Sequence, residues 1–194
     1  MTSFTEWGAA VLLHICCAPD ATVPWPALLG EGFEVDGFFY GGNIHPEGEW
    51  EMRRDSVVLL AEKLGRRVEI SPYDPGQWFD WTSGLSGAHE GGERCRACFG
   101  AQLGASSVFA RENGYGLLST TLTISPHKDP ALVNEIGEEV SSRTGVRWLP
   151  RVWRKNDGFR LSVERSREMG LYRQKYCGCV YSVRELVSPM ERSV

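Results

Sequence analysis

The stretch that decides the fold is "AVLLHICCAPD", residues 10–20. Its first part is a continuous apolar run, which is typical of a β-strand that is buried on both faces of a parallel sheet. Two adjacent cysteines and an aspartate follow directly, at the carboxyl end of this strand. Because parallel α/β sheets bind their ligands at that edge, the stretch predicts both a central strand and the place of a functional site.

The rest of the chain alternates between strand-like and helical segments. Further strands are predicted in "FEVDGFFY" (33–40), "RRVEISPY" (66–73), "YGLLST" (115–120) and "VRWLP" (146–150). Long helices are predicted over residues 45–65, 92–113 and 129–145. Strands joined through helices imply right-handed crossovers and a mostly parallel sheet. We therefore expect a single α/β domain over residues 1–194, in which about residues 156–194 form a small C-terminal helical extension with a helix capped by Ser162.

The charge of the chain is unevenly distributed. The net charge is −4, yet residues 147–175 carry nine Lys or Arg against three acidic residues, Asp157, Glu164 and Glu168. This segment is either a solvated, partly helical face or a patch that binds the phosphates of a nucleic acid. No apolar run approaches the ~20 residues of a membrane helix. The N-terminus lacks the basic leading segment of an export signal, so we expect a cytoplasmic protein that does not enter a membrane.

The six cysteines form three close pairs: Cys16-Cys17, Cys95-x-x-Cys98 and Cys177-Gly-Cys179. In a reducing compartment such pairs bind metal or do redox work more often than they form disulfides. Adjacent cysteines rarely bridge each other, because their Cα atoms are about 3.8 Å apart and a disulfide prefers about 5.5 Å. Four ligands satisfy a structural zinc ion, whereas six thiolates suit an iron–sulfur cluster with a second metal or a redox dithiol. Spacing alone leaves iron–sulfur, zinc and thiol redox chemistry open.

Several single residues near the predicted strand ends are candidates for the same site. A carboxylate at Asp20, beside soft thiolates, suits a mononuclear iron or zinc with an open position, although an aspartate here also fits a helix cap or a turn. His14 is predicted to be a buried strand residue that is hydrogen-bonded to backbone. His45 and His127 lie beside prolines in loops, where they could touch a substrate. The "WFDW" stretch, residues 78–81, could offer a stacking surface for a base.

Five blocks of the sequence carry a resemblance to a known family. In chain order they are "LLHICCAPD", "FFYGGNIHPEGEWEMR", "CRACF", "TTLTISPHKD" and "YRQKYCGCVYS", and they extend from about residue 11 to residue 182. Together they resemble the QueH-type epoxyqueuosine reductases, a metal-dependent family. The resemblance implies a Rossmann-like fold of the adenine-nucleotide-hydrolase (HUP-like) group. It also implies a tRNA substrate that carries epoxyqueuosine at the wobble base of the anticodon.

The resemblance further implies a [4Fe–4S] cluster and a nearby mononuclear iron. Carried over to this chain, the metal ligands are the six cysteines together with Asp20, which is a candidate for the separate iron; which four cysteines hold the cluster stays open. In place of the family's usual "YNPNIHP" this chain has "YGGNIHP", and we expect Gly41 and Gly42 to loosen that loop.

Conversion of an epoxide to an alkene releases the oxygen as water and consumes two electrons and two protons, which requires a cofactor and an external low-potential electron donor. Asp20 is a candidate catalytic residue through its metal, and Tyr40 and His45 are candidate proton donors. The predicted substrate-binding residues are Asn43, His127, Lys128 and Arg173.

Two other functions fit parts of the pattern. One is a zinc-stabilised module that binds RNA or a nucleotide without redox chemistry. The other is a thiol–disulfide oxidoreductase that uses Cys95 and Cys98.

Overall fold

The fold is built on a five-stranded parallel sheet. The computed structural model describes residues 10–187, so the N-terminal lead-in and the last seven residues of the predicted extension lie outside the described part. The strands are β1 (Ala10–Ile15), β2 (Glu34–Phe39), β3 (Val68–Ile70), β4 (Leu117–Thr120) and β5 (Arg147–Trp148). Their order is β3-β2-β1-β4-β5, and every neighbouring pair is parallel. The predicted α/β class and parallel sheet are confirmed.

Helices connect and cover these strands. Their bounds are α1 (Ala18–Ala21), α2 (Pro24–Gly30), α3 (Glu47–Leu64), α4 (Pro75–Thr82), α5 (Glu93–Glu112), α6 (Pro130–Thr144), α7 (Gly158–Glu168) and α8 (Val180–Val187). The three predicted long helices, α3, α5 and α6, are confirmed. Asp129 caps α6 by accepting a hydrogen bond from the backbone N–H of Ala131, and Gly65 ends α3 in the left-handed conformation. No helix between residues 10 and 187 is both long and apolar enough to cross a membrane.

Two local predictions from the sequence are wrong. Helix α7 begins at Gly158, after Asp157, and not at Ser162. Ser162 lies fully buried inside that helix, where its hydroxyl donates to the carbonyl of Phe159 at 2.7 Å. His14 is buried as expected, but its Nδ1 pairs with the hydroxyl of Thr120 at 2.8 Å and not with backbone.

Strand β1 is the centre of the core. Its side chains alternate between two apolar clusters, with Leu13 and Ile15 in one and Leu12 in the other. The first cluster packs beneath α2 and α3 around Trp25, and the second packs beneath α5 and α6 around Leu103. This alternation explains why the strand is apolar at nearly every position.

Strands β2 and β3 are added on one side of β1, whereas β4 and β5 are added on its other side, so the strand order reverses between β1 and β4. The order 3-2-1-4-5 is that of a Rossmann-like sheet, in which such a reversal leaves a crevice at the carboxyl ends of the two strands. The C-terminal segment closes over this edge: Trp153 Nε1 donates to the carbonyl of Thr120, and Arg165 Nη1 donates to the carbonyl of Thr22, each at 2.9 Å. The fold therefore places a cavity next to "HICCAPD", at the carboxyl end of β1, and the C-terminal segment covers it.

Candidate metal and substrate site

A cavity of about 590 Å³ lies at the carboxyl ends of the strands. Its walls come from the turn after β1, the loops after β2 and β4, the start of α5, and the C-terminal segment. Five of the six cysteines line it: Cys16, Cys95, Cys98, Cys177 and Cys179. The sixth, Cys17, is buried beside Cys16, and all six are free thiols. The fold thus brings three sequence pairs into one place.

Cys16, Cys17 and Asp20 form the first ligand group. Helix α1 starts directly after Cys17, so its first turn brings Asp20 back towards the thiol four residues earlier. Cys16 Sγ donates to Asp20 Oδ2 at 3.4 Å, and the three potential ligand atoms lie within 4.8 Å of one another. The N-cap of α1 is Cys17, so the interpretation of Asp20 as a helix cap is wrong.

The surroundings of this first group shift the pKa values of its two thiols and of the neighbouring Lys128. A hydrogen bond from Cys17 lowers the pKa of Cys16, whereas burial raises the pKa of Cys17 well above its usual value. Gln174 Nε2 donates to Cys17 Sγ at 2.9 Å. Burial opposes the charge of Lys128, yet the nearby Cys16 and Asp20, with other thiols, outweigh it and raise its pKa. Negative charge is therefore favoured on Cys16, beside the cation of Lys128, and disfavoured on Cys17.

The other four cysteines also line the cavity, and we call them the second ligand group. Cys95 and Cys98 lie three residues apart in the first turns of α5, so both thiols share one face of the helix. Cys98 and Cys179 belong to the same buried cluster as Trp78. Cys177 and Cys179 share a hydrogen bond that lowers the pKa of Cys179 and raises that of Cys177.

Hydrogen-bond donors point at the sulfurs of this second group. Trp78 Nε1 and Gln102 Nε2 donate to Cys98 Sγ at 3.2 and 3.1 Å, and the backbone N–H of Gly91 donates to Cys95 Sγ at 3.2 Å. Burial nevertheless raises the pKa of Cys98 to about 12, and the nearby Cys179 adds to that rise. A bound metal would replace the protons of these thiols, and the donors around them would stabilise the resulting thiolates, so the donor set fits a bound metal or cluster.

Comparison with known proteins places the chain in a family. A family model described as "Epoxyqueuosine reductase QueH" matches residues 11–185. The chain belongs to this family. Among its relatives are proteins named epoxyqueuosine reductase QueH from Streptococcus pyogenes, Acinetobacter baylyi and Thermotoga maritima, each 35% identical over 90% of this chain. The matches cover 71%, 81% and 91% of those relatives, respectively.

All four residues that were predicted to bind substrate line the cavity of this QueH family member: Asn43, His127, Lys128 and Arg173. Asn43 is only 6% exposed, and within residues 10–187 its Oδ1 has no hydrogen-bond partner. Arg173 is held by Ser166, whose hydroxyl accepts from Nη1 at 3.2 Å.

The two candidate proton donors lie behind the cavity wall. Tyr40 is buried in the core, and burial raises its pKa to about 12. The ring of His45 packs against Trp78 and Phe79, with centroids 5.1 and 4.9 Å away, and burial lowers its pKa. Neither side chain lines the cavity, so their role as acids stays a prediction.

The two glycines of "YGGNIHP" do not loosen the loop after β2. A Cβ at Gly41 would clash with the indole of Trp50. A Cβ at Gly42 would lie 2.8 Å from both the hydroxyl of Tyr40 and the carbonyl of Asp74. Both positions are close approaches of packed groups, and the predicted flexibility is wrong.

Sequence reasoning missed the residues that contact the sulfurs. Gln102 could have been found, because it lies one helical turn after Cys98 on the same face of α5. Gln174 carried no such signal, because its contact with Cys17 joins residues that are 157 positions apart. Trp78 is fully buried and hydrogen-bonded to Cys98, so the prediction that "WFDW" offers a stacking surface is wrong at that residue.

Proposed function

We propose that this chain reduces epoxyqueuosine in tRNA to queuosine, with a [4Fe–4S] cluster on the second ligand group and a mononuclear iron on the first. The cluster ligands would be Cys95, Cys98, Cys177 and Cys179, and the iron ligands Cys16, Cys17 and Asp20. The observation that supports this division is that one cavity has two chemically different donor groups on its wall. The family's name gives the reaction.

The division follows from ligand chemistry. Four thiolates are the usual ligands of a [4Fe–4S] cluster. Two thiolates and one carboxylate leave positions open on a mononuclear metal, as a site that must meet a substrate requires. When bound, the cluster would supply single electrons from an external low-potential donor, and the iron would act as a Lewis acid.

The chain's own residues would bind and orient the modified base. A volume of about 590 Å³ suits one extruded nucleotide. The unpartnered Oδ1 of Asn43 would accept a hydrogen bond from the base edge. Lys128, which lines the cavity, would supply positive charge between the thiols and the substrate phosphate.

The basic residues around the cavity would hold the anticodon stem. Within the described residues, Arg151 and Arg160 pair with carboxylates, so their charge is already neutralised. The other seven cations of the segment have no carboxylate within salt-bridge distance in the described part of the chain: Arg147, Arg154, Lys155, Arg165, Arg167, Arg173 and Lys175. Arg173 and Lys175 line the cavity itself. This distribution favours phosphate binding over a merely solvated face.

An assay of epoxyqueuosine loss from tRNA tests the proposal. Protein purified without oxygen should contain iron and sulfide and should convert the modified tRNA when dithionite supplies electrons. Cys98→Ser should lose sulfide and activity together, whereas Asp80→Asn, an exposed carboxylate near the site, should keep both. A colourless protein with stoichiometric zinc and no conversion would instead favour the zinc-stabilised binding module.

A second variant addresses the thiol–disulfide alternative. Cys16→Ser combined with Cys17→Ser leaves Cys95 and Cys98 intact. An oxidoreductase that uses only the latter pair would keep its activity in this double variant. Under the proposed function, conversion of the tRNA is lost.

A further inference from the structure

A buried arginine donates hydrogen bonds to the backbone of the turn that carries one cysteine pair. Arg53 of α3 is 2% exposed, and its Nε donates to Glu49 Oε1 at 2.8 Å. Its Nη1 donates to the carbonyl of Cys177 at 2.9 Å, and its Nη2 donates to the carbonyl of Tyr176 at 3.0 Å. One guanidinium therefore joins a carboxylate to two consecutive carbonyls of the turn that carries Cys177 and Cys179.

The carboxylate in this arrangement is itself fixed. Glu49 is 5% exposed, and its second oxygen accepts a hydrogen bond from the hydroxyl of Tyr172 at 2.8 Å. Glu49 thus neutralises Arg53 and, through Tyr172, ties α3 to the segment that leads into the cysteine turn. A buried charge pair of this kind is tolerated only where its hydrogen bonds are satisfied, which is the case here.

The turn is shaped to fit the arginine. Gly178 has φ +121°, a conformation that side-chain-bearing residues rarely adopt, and a Cβ there would lie 2.8 Å from Arg53 Nη1. The carbonyl of Gly178 accepts from the backbone N–H of His45 at 2.8 Å, and the hydroxyl of Tyr176 donates to the carbonyl of His45. The turn is therefore fixed from two sides, by α3 and by the loop after β2.

We propose that Arg53 is a positioning residue that holds the Cys177-Gly178-Cys179 turn, so that its two thiols face Cys95 and Cys98. The proposal rests on the metal site proposed above. A planar guanidinium has enough N–H donors to reach two adjacent carbonyls and a carboxylate at once. A lysine ammonium does not, so lysine cannot replace Arg53 although the charge is the same. The chelating geometry of the second ligand group then depends on a residue that touches no sulfur.

Cobalt(II) binding to the apoprotein tests this geometry apart from activity. The background is Cys16→Ser with Cys17→Ser, which leaves the four thiols of the second group. In this background the cobalt–thiolate absorption should report four sulfurs. Arg53→Lys and Arg53→Gln should weaken cobalt binding by about 10- to 100-fold, the usual range for residues that orient ligands. Their absorption should fall to that of a two-thiolate site.

The neighbouring Arg54 is the matched control. Its guanidinium hydrogen-bonds to the exposed Asp55 and stacks over Trp50, and within residues 10–187 it makes no hydrogen bond to the Cys177–Cys179 turn. Arg54→Lys should therefore bind cobalt like the background protein. Circular dichroism of each apoprotein establishes that it is folded. If the Arg53 variants do not fold, Glu49→Gln and Tyr172→Phe test the proposal instead. Both keep Arg53 but weaken the hydrogen bonds that hold it in place, so each should weaken cobalt binding.

The outcomes separate the two proposals. Absence of a thiolate–cobalt spectrum in the background protein would overturn the metal site itself. A normal background spectrum with unchanged affinity in folded Arg53→Lys, or in Glu49→Gln and Tyr172→Phe, would overturn only the positioning role.

Discussion

At Asp20, a single turn of helix converts two adjacent thiols into a three-ligand group. The carboxylate is buried and accepts a hydrogen bond from Cys16 Sγ, so its position is explained by the site and not by a cap or surface charge. Asp20→Asn keeps the shape but removes the charge. We expect it to retain the sulfide of the cluster, to lose one iron per chain, and to lower turnover by more than about 100-fold.

Iron and sulfide analysis beside the tRNA assay measures this effect. The control is Asp74→Asn, because Asp74 caps α4 in an exposed position and asparagine caps equally well. Full turnover in Asp20→Asn would remove this residue from the iron site.

Gln102 offers a second test at the scale of one residue. Its amide donates to Cys98 Sγ, and such a hydrogen bond would stabilise the reduced, more negative state of the proposed cluster. Gln102→Met removes the donor and keeps the volume, so the reduction potential should become more negative. The shift should be on the order of tens of millivolts, since about 59 mV equals a tenfold change for a one-electron couple. A redox titration measures it, and the exposed Gln77→Met should leave the potential unchanged.

Among the elements, those with a clear period or cap could be predicted. The apolar run of β1 and the Asp-Pro start of α6 are local signals, and both were interpreted correctly. Helices α1 and α2 were missed, because their four and seven residues are too short to show a period. The proposed division of the cysteines has no signal in the sequence, since it depends on contacts such as Arg53 with Cys177, which join residues 124 positions apart.

Another prediction at the level of elements concerns the basic segment, residues 147–175, and its binding to tRNA. Lys155 and Lys175 are exposed cations of this segment, and Lys175 lines the cavity, so Lys155→Gln with Lys175→Gln should remove two of the proposed phosphate contacts. The slope of log affinity for tRNA against log salt should become shallower by about 1.4 to 1.8, depending on whether single-stranded or duplex phosphates are contacted. Binding titrations between about 50 and about 200 mM salt measure the slope. Lys63→Gln with Arg111→Gln, two exposed cations outside that segment, should leave the slope unchanged, and an equal slope in both double variants would contradict the patch.

Across the whole molecule, the proposed centre joins segments that the sheet alone leaves separate. The first ligand group belongs to the turn after β1, Cys95 and Cys98 to the start of α5, and the last pair to the C-terminal segment. Since thiol ligands must lose their protons to bind a metal and a preformed site rarely exists without it, metal loading should contribute to folding and not merely fill a finished pocket. Removal of the metal should therefore loosen these three segments together.

Hydrogen exchange and thermal unfolding of the apo and reconstituted forms test this linkage. A ligand at about a thousandfold its dissociation constant stabilises by about 4 kcal/mol, which for a chain of this length raises the unfolding midpoint by roughly 10 °C. Exchange protection should rise in residues 16–21, 91–98 and 174–182 at once. In Cys98→Ser, where the cluster is lost, the gain over 91–98 and 174–182 should vanish, while iron bound by Cys16, Cys17 and Asp20 still protects 16–21. If protection rose in only one segment of the reconstituted wild type, with an unchanged midpoint, the three segments would not share one centre.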